Sequence, residues 1–210
     1  GEGGSDMSAT GRNVVGRERN AADFYSTPAW CVQRLLEAES RLCCGGNWLE
    51  PGCGDGAIIR AVDEHYESLV PWAPSWVAVD VRSSTNPILG PMLADFHCVD
   101  FLGWESADHF DVAIGNPPYS LAQEFVEHAM NMSKVVVFLL RINFLASQGR
   151  AAFMRQHTPS LYVLPNRPSF AHGRTDATEY AWFAWGLDAS PTVRVLAVTA
   201  KENRQERGTP

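Results

Sequence analysis

The chain predicts an α/β domain, built on a mostly parallel sheet with helices on both faces and an antiparallel edge. Three observations carry that reading. Short apolar strands alternate with helical patterns over the first three quarters of the chain, and further strands close it. Several strands run into polar or glycine-rich turns, as strands of open α/β sheets do where they meet a ligand. The 210 residues, 45% hydrophobic and 20% charged, suit one globular domain and exclude disordered and low-complexity classes.

Thr27-Pro28 starts the first helix, with Thr able to cap and Pro suited to the first turn. Trp30, Val32, Leu35 and Leu36 follow at helical spacing. Asn47-Trp48-Leu49-Glu50 reads as a strand entering a glycine turn, and 57–65 as a helix. Trp76-Val77-Ala78-Val79 is a buried strand ending in Asp80. Residues 96–99 form another, ending in Asp100, and 110–114 a third, ending in Asn116-Pro117-Pro118-Tyr119. Residues 121–132 read as a helix with Phe125 and Met132 seven positions apart. The run 135–140 is the most apolar, which suits the centre of a sheet, and is far short of a membrane span. A helix at 150–157 and strands at 161–164, 179–185 and 193–198 complete the pattern.

Residues 1–22 carry Arg12, Arg17 and Arg19 without an apolar period and read as a flexible arm, its first six residues as a cloning scar ahead of Met7. One domain spans 23–200, and 201–210 reads as a flexible tail. No apolar signal core stands near the start. The cysteines at 31, 43, 44, 53 and 98 are odd in number and hold no C-x-x-C pair, so neither a disulfide framework nor a zinc set is expected. A reducing, cytoplasmic compartment follows. The six histidines are scattered, and no metal is expected.

A formal charge of −7 argues weakly against nucleic acid, but its distribution does not. Residues 35–133 hold three basic and fifteen acidic side chains. Residues 134–175 hold Lys134, Arg141, Arg150, Arg155, Arg167 and Arg174, with no Asp or Glu. One half can repel a polyanion while the other attracts it. Dispersed surface arginines are the plainer explanation of the same count.

Glu50-Pro51-Gly52-Cys53-Gly54-Asp55-Gly56 joins a strand to a helix. Its spacing is G-x-G-x-G, whereas a nicotinamide-binding turn wants G-x-G-x-x-G. Glycines there let backbone approach a ligand closely, and Asp80 at the next strand end can hold two ribose hydroxyls. Asp100 can accept from an adenine amino group with Phe101 beside it. The same pair serves equally as a helix cap plus a core ring. In Asn116-Pro117-Pro118-Tyr119 the prolines remove two N–H donors and stop the strand. Asn116 offers an acceptor and Tyr119 a flat face, which together suit a planar NH2 group.

On these residues the chain resembles the amino-methyltransferases of the class I S-adenosylmethionine-dependent fold, a Rossmann-like, seven-stranded architecture. The segment Asp23-Phe24-Tyr25-Ser26-Thr27-Pro28 resembles the one that precedes the glycine turn in DNA adenine methyltransferases, and the segments Asn166-Arg167-Pro168-Ser169-Phe170 and Arg174-Thr175-Asp176-Ala177-Thr178-Glu179-Tyr180-Ala181-Trp182-Phe183 look like phage and prophage N6-adenine methyltransferases. The resemblance implies S-adenosylmethionine as cofactor. Tyr25, Thr27, Pro28, Glu50, Gly52 and Gly54 would hold its methionine part, Asp80 its ribose, and Asp100 and Phe101 its adenine. Asn116 and the Pro117 carbonyl, in a turn set by Pro118, would bind the target amine. Tyr119 would stack on the target base, with Phe170 over its other face. Arg141, Arg167 and Arg174 would follow phosphates.

The implied activity is methylation of the exocyclic N6 amine of a flipped-out adenine in DNA, favoured over RNA. A rival with the same tetrapeptide is glutamine N5-methylation of a release factor, although that family carries an N-terminal helical domain for which this chain lacks room. RNA base amino-methylation is a closer rival, and a non-catalytic cofactor-binding subunit a more distant one. Little chain remains for sequence readout, so low specificity, a short site, a homodimer or a partner supplying specificity is expected.

Overall fold

The structure, a computed structural model, describes residues 26–43, 45–67, 73–82, 93–170 and 178–199. Strands β1 (Asn47–Pro51), β2 (Ser75–Asp80), β3 (Leu93–Cys98), β4 (Phe110–Gly115), β5 (Ser133–Arg141), β6 (Ser160–Val163), β7 (Tyr180–Trp185) and β8 (Val193–Val195) form one sheet. Its order is β3-β2-β1-β4-β5-β7-β6-β8. Helices α1 (Ala29–Ala38), α2 (Ala57–Glu67), α3 (Ala122–Met132) and α4 (Ala151–Gln156) accompany it.

Two expectations are corrected. The sheet has eight strands rather than seven, because the short β8 adds to β6 in parallel. The antiparallel strand is not at an edge: β7 lies between β5 and β6 and runs against both. Its sequence, Tyr-Ala-Trp-Phe-Ala-Trp, is buried at every position. A strand apolar on both faces belongs inside a sheet that is covered on both sides.

Alternation along the strands divides the core in two. Val137 and Leu139 of β5, with Tyr180, Trp182 and Ala184 of β7, face the side covered by α1 and α2. Val136, Phe138 and Leu140, with Ala181, Phe183 and Trp185, face α3, and α4 contributes Phe153 and Met154 there. The large indoles are fixed by their polar edge as well as their bulk. Trp182 Nε1 donates to the Cys31 carbonyl at 2.9 Å and ties β7 to α1, while Trp76 Nε1 donates to Asp63 Oδ1 of α2 at 3.0 Å.

Some element ends differ from expectation. Pro28 occupies the N-cap of α1 without a side-chain cap bond. Thr27 does not cap, because its hydroxyl accepts from Asn116. The turn before α3 is a 3-10 helix at Tyr119–Leu121. Cys31, Cys43, Cys53 and Cys98 are free thiols, and among the described residues no helix is long and apolar enough to cross a membrane.

A buried carboxylate locks the far end of the sheet. Glu39, 3% exposed, accepts from Arg41 Nε and Nη2 at 2.6 Å each, from the Tyr162 hydroxyl at 2.5 Å and from Arg194 Nη1 at 3.2 Å. Arg41 also reaches the Leu187 carbonyl and Asp188. The end of α1, β6, β8 and the turn after β7 thus meet at one charge cluster. The Arg41 hydrogen bonds, with that of Tyr162, hold the Glu39 carboxyl down at about 2, against burial.

A carboxyl depressed in the folded state adds stability that is complete above its unfolded value and lost as pH falls through its folded value. Unfolding free energy is therefore expected to fall between about pH 4.5 and pH 2. Urea unfolding of Glu39→Gln should show a shallower fall over that window and a loss of about 2 kcal/mol at pH 7. Gly186 makes a second, independent test. Its φ is +83°, and a Cβ there would lie 2.2 Å from the Lys134 carbonyl oxygen. Gly186→Ala should cost about 3 kcal/mol or more in the same assay.

Candidate active site

The chain leaves β1 through α2 to β2 and β3 on one side, and leaves β4 through α3 to β5 on the other. β1 and β4 are nonetheless parallel neighbours, with Trp48 opposite Val112 and Leu49 opposite Ala113. A crevice at the carboxyl ends of two such strands is left open by the crossovers, which is where open α/β sheets bind ligands. The backbones close tightly there: a Cβ at Gly115 would lie 3.3 Å from the Pro51 carbonyl oxygen.

The glycine turn occupies the β1 side of this crevice. Gly52 and Gly54 have φ of 67° and 61°, the left-handed region that favours glycine. The Gly52 amide donates to the Val79 carbonyl at 2.7 Å and the Gly54 amide to Asp80 Oδ2 at 2.9 Å. Glu50, beneath the turn, is 2% exposed, and its Oε2 has no hydrogen-bond partner among the described residues. Burial lifts the Glu50 carboxyl well above the usual range, and Asp55 and Asp80 push the same way. A turn with glycine at every second position, backed by a buried oxygen that has no partner among the described residues, fits a small polar ligand lying on the glycines.

Asp80 ends β2 and is 5% exposed. Besides Gly54 it accepts from the backbone and side chain of Arg82, with Nε at 2.9 Å and Nη2 at 3.1 Å. Sequence reasoning missed Arg82, whose only signal was its place two residues beyond Asp80. Asp100 accepts from the Leu102 amide at 3.2 Å and caps the 3-10 turn Phe101–Gly103. Phe101 is 2% exposed and packs on Phe125 and His128. The cap and the core ring are therefore both present.

The tetrapeptide follows β4 on the other side of the crevice. Pro117 is buried, while Asn116, Pro118 and Tyr119 are half-buried. Asn116 Nδ2 donates to Thr27 Oγ1 at 3.1 Å. That bond fixes the amide, and leaves Oδ1 buried without a partner among the described residues. Thr27 is itself 4% exposed, so the start of α1 is pinned to the tetrapeptide from below.

An aromatic group lies beside it. Tyr180, fully buried at the start of β7, packs on Tyr119 at 5.9 Å between centroids and edge-on against Phe170 at 5.0 Å. Tyr119 and Phe170 thus share one neighbour. Arg141, the last residue of β5, places its guanidinium carbon 4.4 Å above the Tyr119 ring and donates from Nε to the Tyr180 hydroxyl at 3.2 Å. Tyr180 was not picked out as a site residue. The signal was its register, directly opposite Arg141.

The basic segment does not act as one strip. Arg141 stands at the crevice, and Arg150 donates to the Phe144 carbonyl at 3.0 Å. Arg167 pairs with Glu179 at 2.5 Å. Lys134 pairs with Asp111 at 2.7 Å near the start of β5, the end of the sheet opposite the crevice. Tyr25 and Arg174 lie outside the described residues. Among the described residues no cluster of His, Cys, Asp or Glu could hold a metal ion.

No family model matches the chain. A curated protein, the type II methyltransferase M.TthHB8I of Thermus thermophilus, is 29% identical over 106 residues. That match spans 50% of this chain but only 23% of the Thermus protein. Solved structures match more broadly. A type I restriction-modification methyltransferase subunit from Streptococcus thermophilus superposes with a TM-score of 0.59 and 15% identity, over 77% of this chain and 44% of its own. PH1948 of Pyrococcus horikoshii, a candidate RNA methyltransferase, gives 0.58 and 18%, over 81% and 91%. The 23S rRNA methyltransferase ErmE gives 0.54 and 16%, over 80% and 71%. With the strand order and the crevice at its reversal, these likenesses identify the fold as that of the Rossmann-like class I S-adenosylmethionine-dependent methyltransferases.

Proposed function

We propose that the chain transfers a methyl group from S-adenosylmethionine to the N6 amine of adenine in DNA. The single observation that carries this reading is the buried Asn116 Oδ1, an acceptor without a donor among the described residues at the mouth of the crevice. An orphaned buried acceptor costs about 1–3 kcal/mol, and a planar amine is a donor of the right shape for it. The resemblance of the tetrapeptide to amino-methyltransferases and the likeness to a type II methyltransferase support the same choice.

The cofactor would rest on the backbone of Gly52 and Gly54, with Glu50 and Asp80 available to its polar groups. When bound, it supplies a methyl group made electrophilic by a sulfonium sulfur. The chain's own residues act on the amine, whose lone pair is delocalised into the purine ring. Asn116 Oδ1 and the Pro117 carbonyl accept its two hydrogens and draw the nitrogen toward tetrahedral geometry, which localises the pair. As the nitrogen takes its fourth bond it becomes positive, and the same two oxygens stabilise that charge. The proton then leaves a methylated ammonium far more acidic than the amine, so no base need act first. In duplex DNA the base must first leave the stack, at a cost of a few kcal/mol.

Labelled-methyl transfer onto DNA, RNA and a release factor in parallel tests the reading, with Asn116→Ala as the blank. Transfer to DNA with label on adenine N6 is expected. Transfer to RNA or to the release factor alone would overturn the DNA assignment. Asn116→Ala should lower kcat by about 10²–10³-fold or more while cofactor affinity stays within twofold; loss of cofactor binding instead would contradict the role given to Asn116. Thr27→Val separates two roles. If Thr27 mainly fixes the Asn116 amide, kcat falls by roughly tenfold and cofactor affinity holds. A rise in cofactor KM at constant kcat would return Thr27 to the cofactor.

A further inference from the structure

The slot that a target base would use on Tyr119 is filled by the protein itself. Arg141 places its guanidinium carbon over the ring, 4.4 Å from the centroid and within cation–π range, and Nε donates to the Tyr180 hydroxyl. Its backbone is fixed in the β5–β7 ladder opposite Tyr180, so any movement of the guanidinium is through its side-chain torsions. A guanidinium is planar, always charged and weakly hydrated, which lets it lie on a ring as a base does. It also matches phosphate with paired hydrogen bonds, which a ring face does not offer it.

We infer that Arg141 is a place-holder and positioning residue: it occupies the base slot on Tyr119 in the free protein and swings to a phosphate flanking the extruded nucleotide when an adenine enters. This rests on the nucleic-acid reading given above. The exchange is favourable only when base and phosphate arrive together. A lone adenine ring must displace the cation without offering it a new partner, so the slot discriminates against free nucleosides. The phosphate contact then holds the backbone of the extruded nucleotide while Asn116 holds its amine.

The place-holder role makes the effects on two ligands opposite in sign, which a merely structural role would not do. Wild type, Arg141→Ala and Arg141→Lys are compared for binding of adenosine and of a single-stranded oligodeoxynucleotide holding one adenine, and for methyl transfer to the latter. Arg141→Ala is expected to bind adenosine about threefold more tightly and the oligonucleotide about tenfold more weakly, with the loss in KM rather than kcat and a salt slope reduced by about one phosphate contact. Arg141→Lys should keep most of the oligonucleotide affinity while losing the exclusion of adenosine, and it carries the test alone if the alanine variant fails to fold. Parallel weakening of both ligands, or no change in either, overturns the inference. A wild-type chain that methylates no oligonucleotide overturns the nucleic-acid reading, and this inference with it. A wild-type chain that methylates the oligonucleotide while both affinities of Arg141→Ala move together overturns this inference alone.

Discussion

β1 and β4 lie side by side and run the same way, yet the chain departs from them to opposite sides of the sheet. Neither crossover covers the gap between their carboxyl ends, and two polar atoms there find no partner among the described residues. They are Glu50 Oε2 on one side and Asn116 Oδ1 on the other, both buried. The surrounding backbone keeps the gap narrow rather than filling it. Gly52 and Gly54 turn the chain in the left-handed region, and Gly115 lets β4 pass within touching distance of Pro51. A close-packed interior would have removed these unpaired oxygens. Ser133 Oγ, at the start of β5, is another such oxygen among the described residues, but Glu50 and Asn116 are the two that flank the place where the topology reverses.

Two buried glutamates make the same point by contrast. Glu39 is as enclosed as Glu50, but two arginines and a tyrosine hydroxyl satisfy it, and the bonds from Arg41 and Tyr162 hold its carboxyl down at about 2. It closes the sheet where β6, β8 and the end of α1 meet. Glu50 is pushed the other way by burial, with two further carboxylates near it. Burial is shared; the partners differ. One carboxylate is bound into the fold, and the other is left available beside the glycine turn.

Strand positions were legible because the strands here are short apolar runs bounded by polar turns, and a run such as 135–140 admits few other placements. The antiparallel order of β7 was not legible. Apolar residues at every position of Tyr180–Trp185 state that both faces are covered, but not which neighbours cover them. The tetrapeptide and the glycine turn were readable because glycine frees the backbone and proline restricts it in ways no other residue can imitate. Contacts between distant segments were not. The Asn116–Thr27 bond joins residues 89 positions apart, and the Arg141–Tyr180 contact follows from a register that only strand pairing sets. Arg141 was legible as a basic residue and not as a ring partner, since composition gives charge without direction.

The uneven charge along the chain acquires a meaning once strand order is known. Residues of β1 to β3 and their turns form one half of the sheet, and β4 to β8 the other. Asp55, Asp80 and Asp100 therefore gather over the first half, with Arg60 and Arg82 held against Asp55 and Asp80. Arg141, Arg150 and Arg167 belong to the second. The acidic run in sequence overlaps both halves, since Asp111, Glu124 and Glu127 belong to β4 and α3, so at the crevice itself the contrast is local, with Asp80 on one side and Arg141 on the other. On the function proposed, a cofactor cationic at its sulfonium would suit the Asp80 side and a phosphate the Arg141 side. The two ligands would then meet at the boundary that β1 and β4 define.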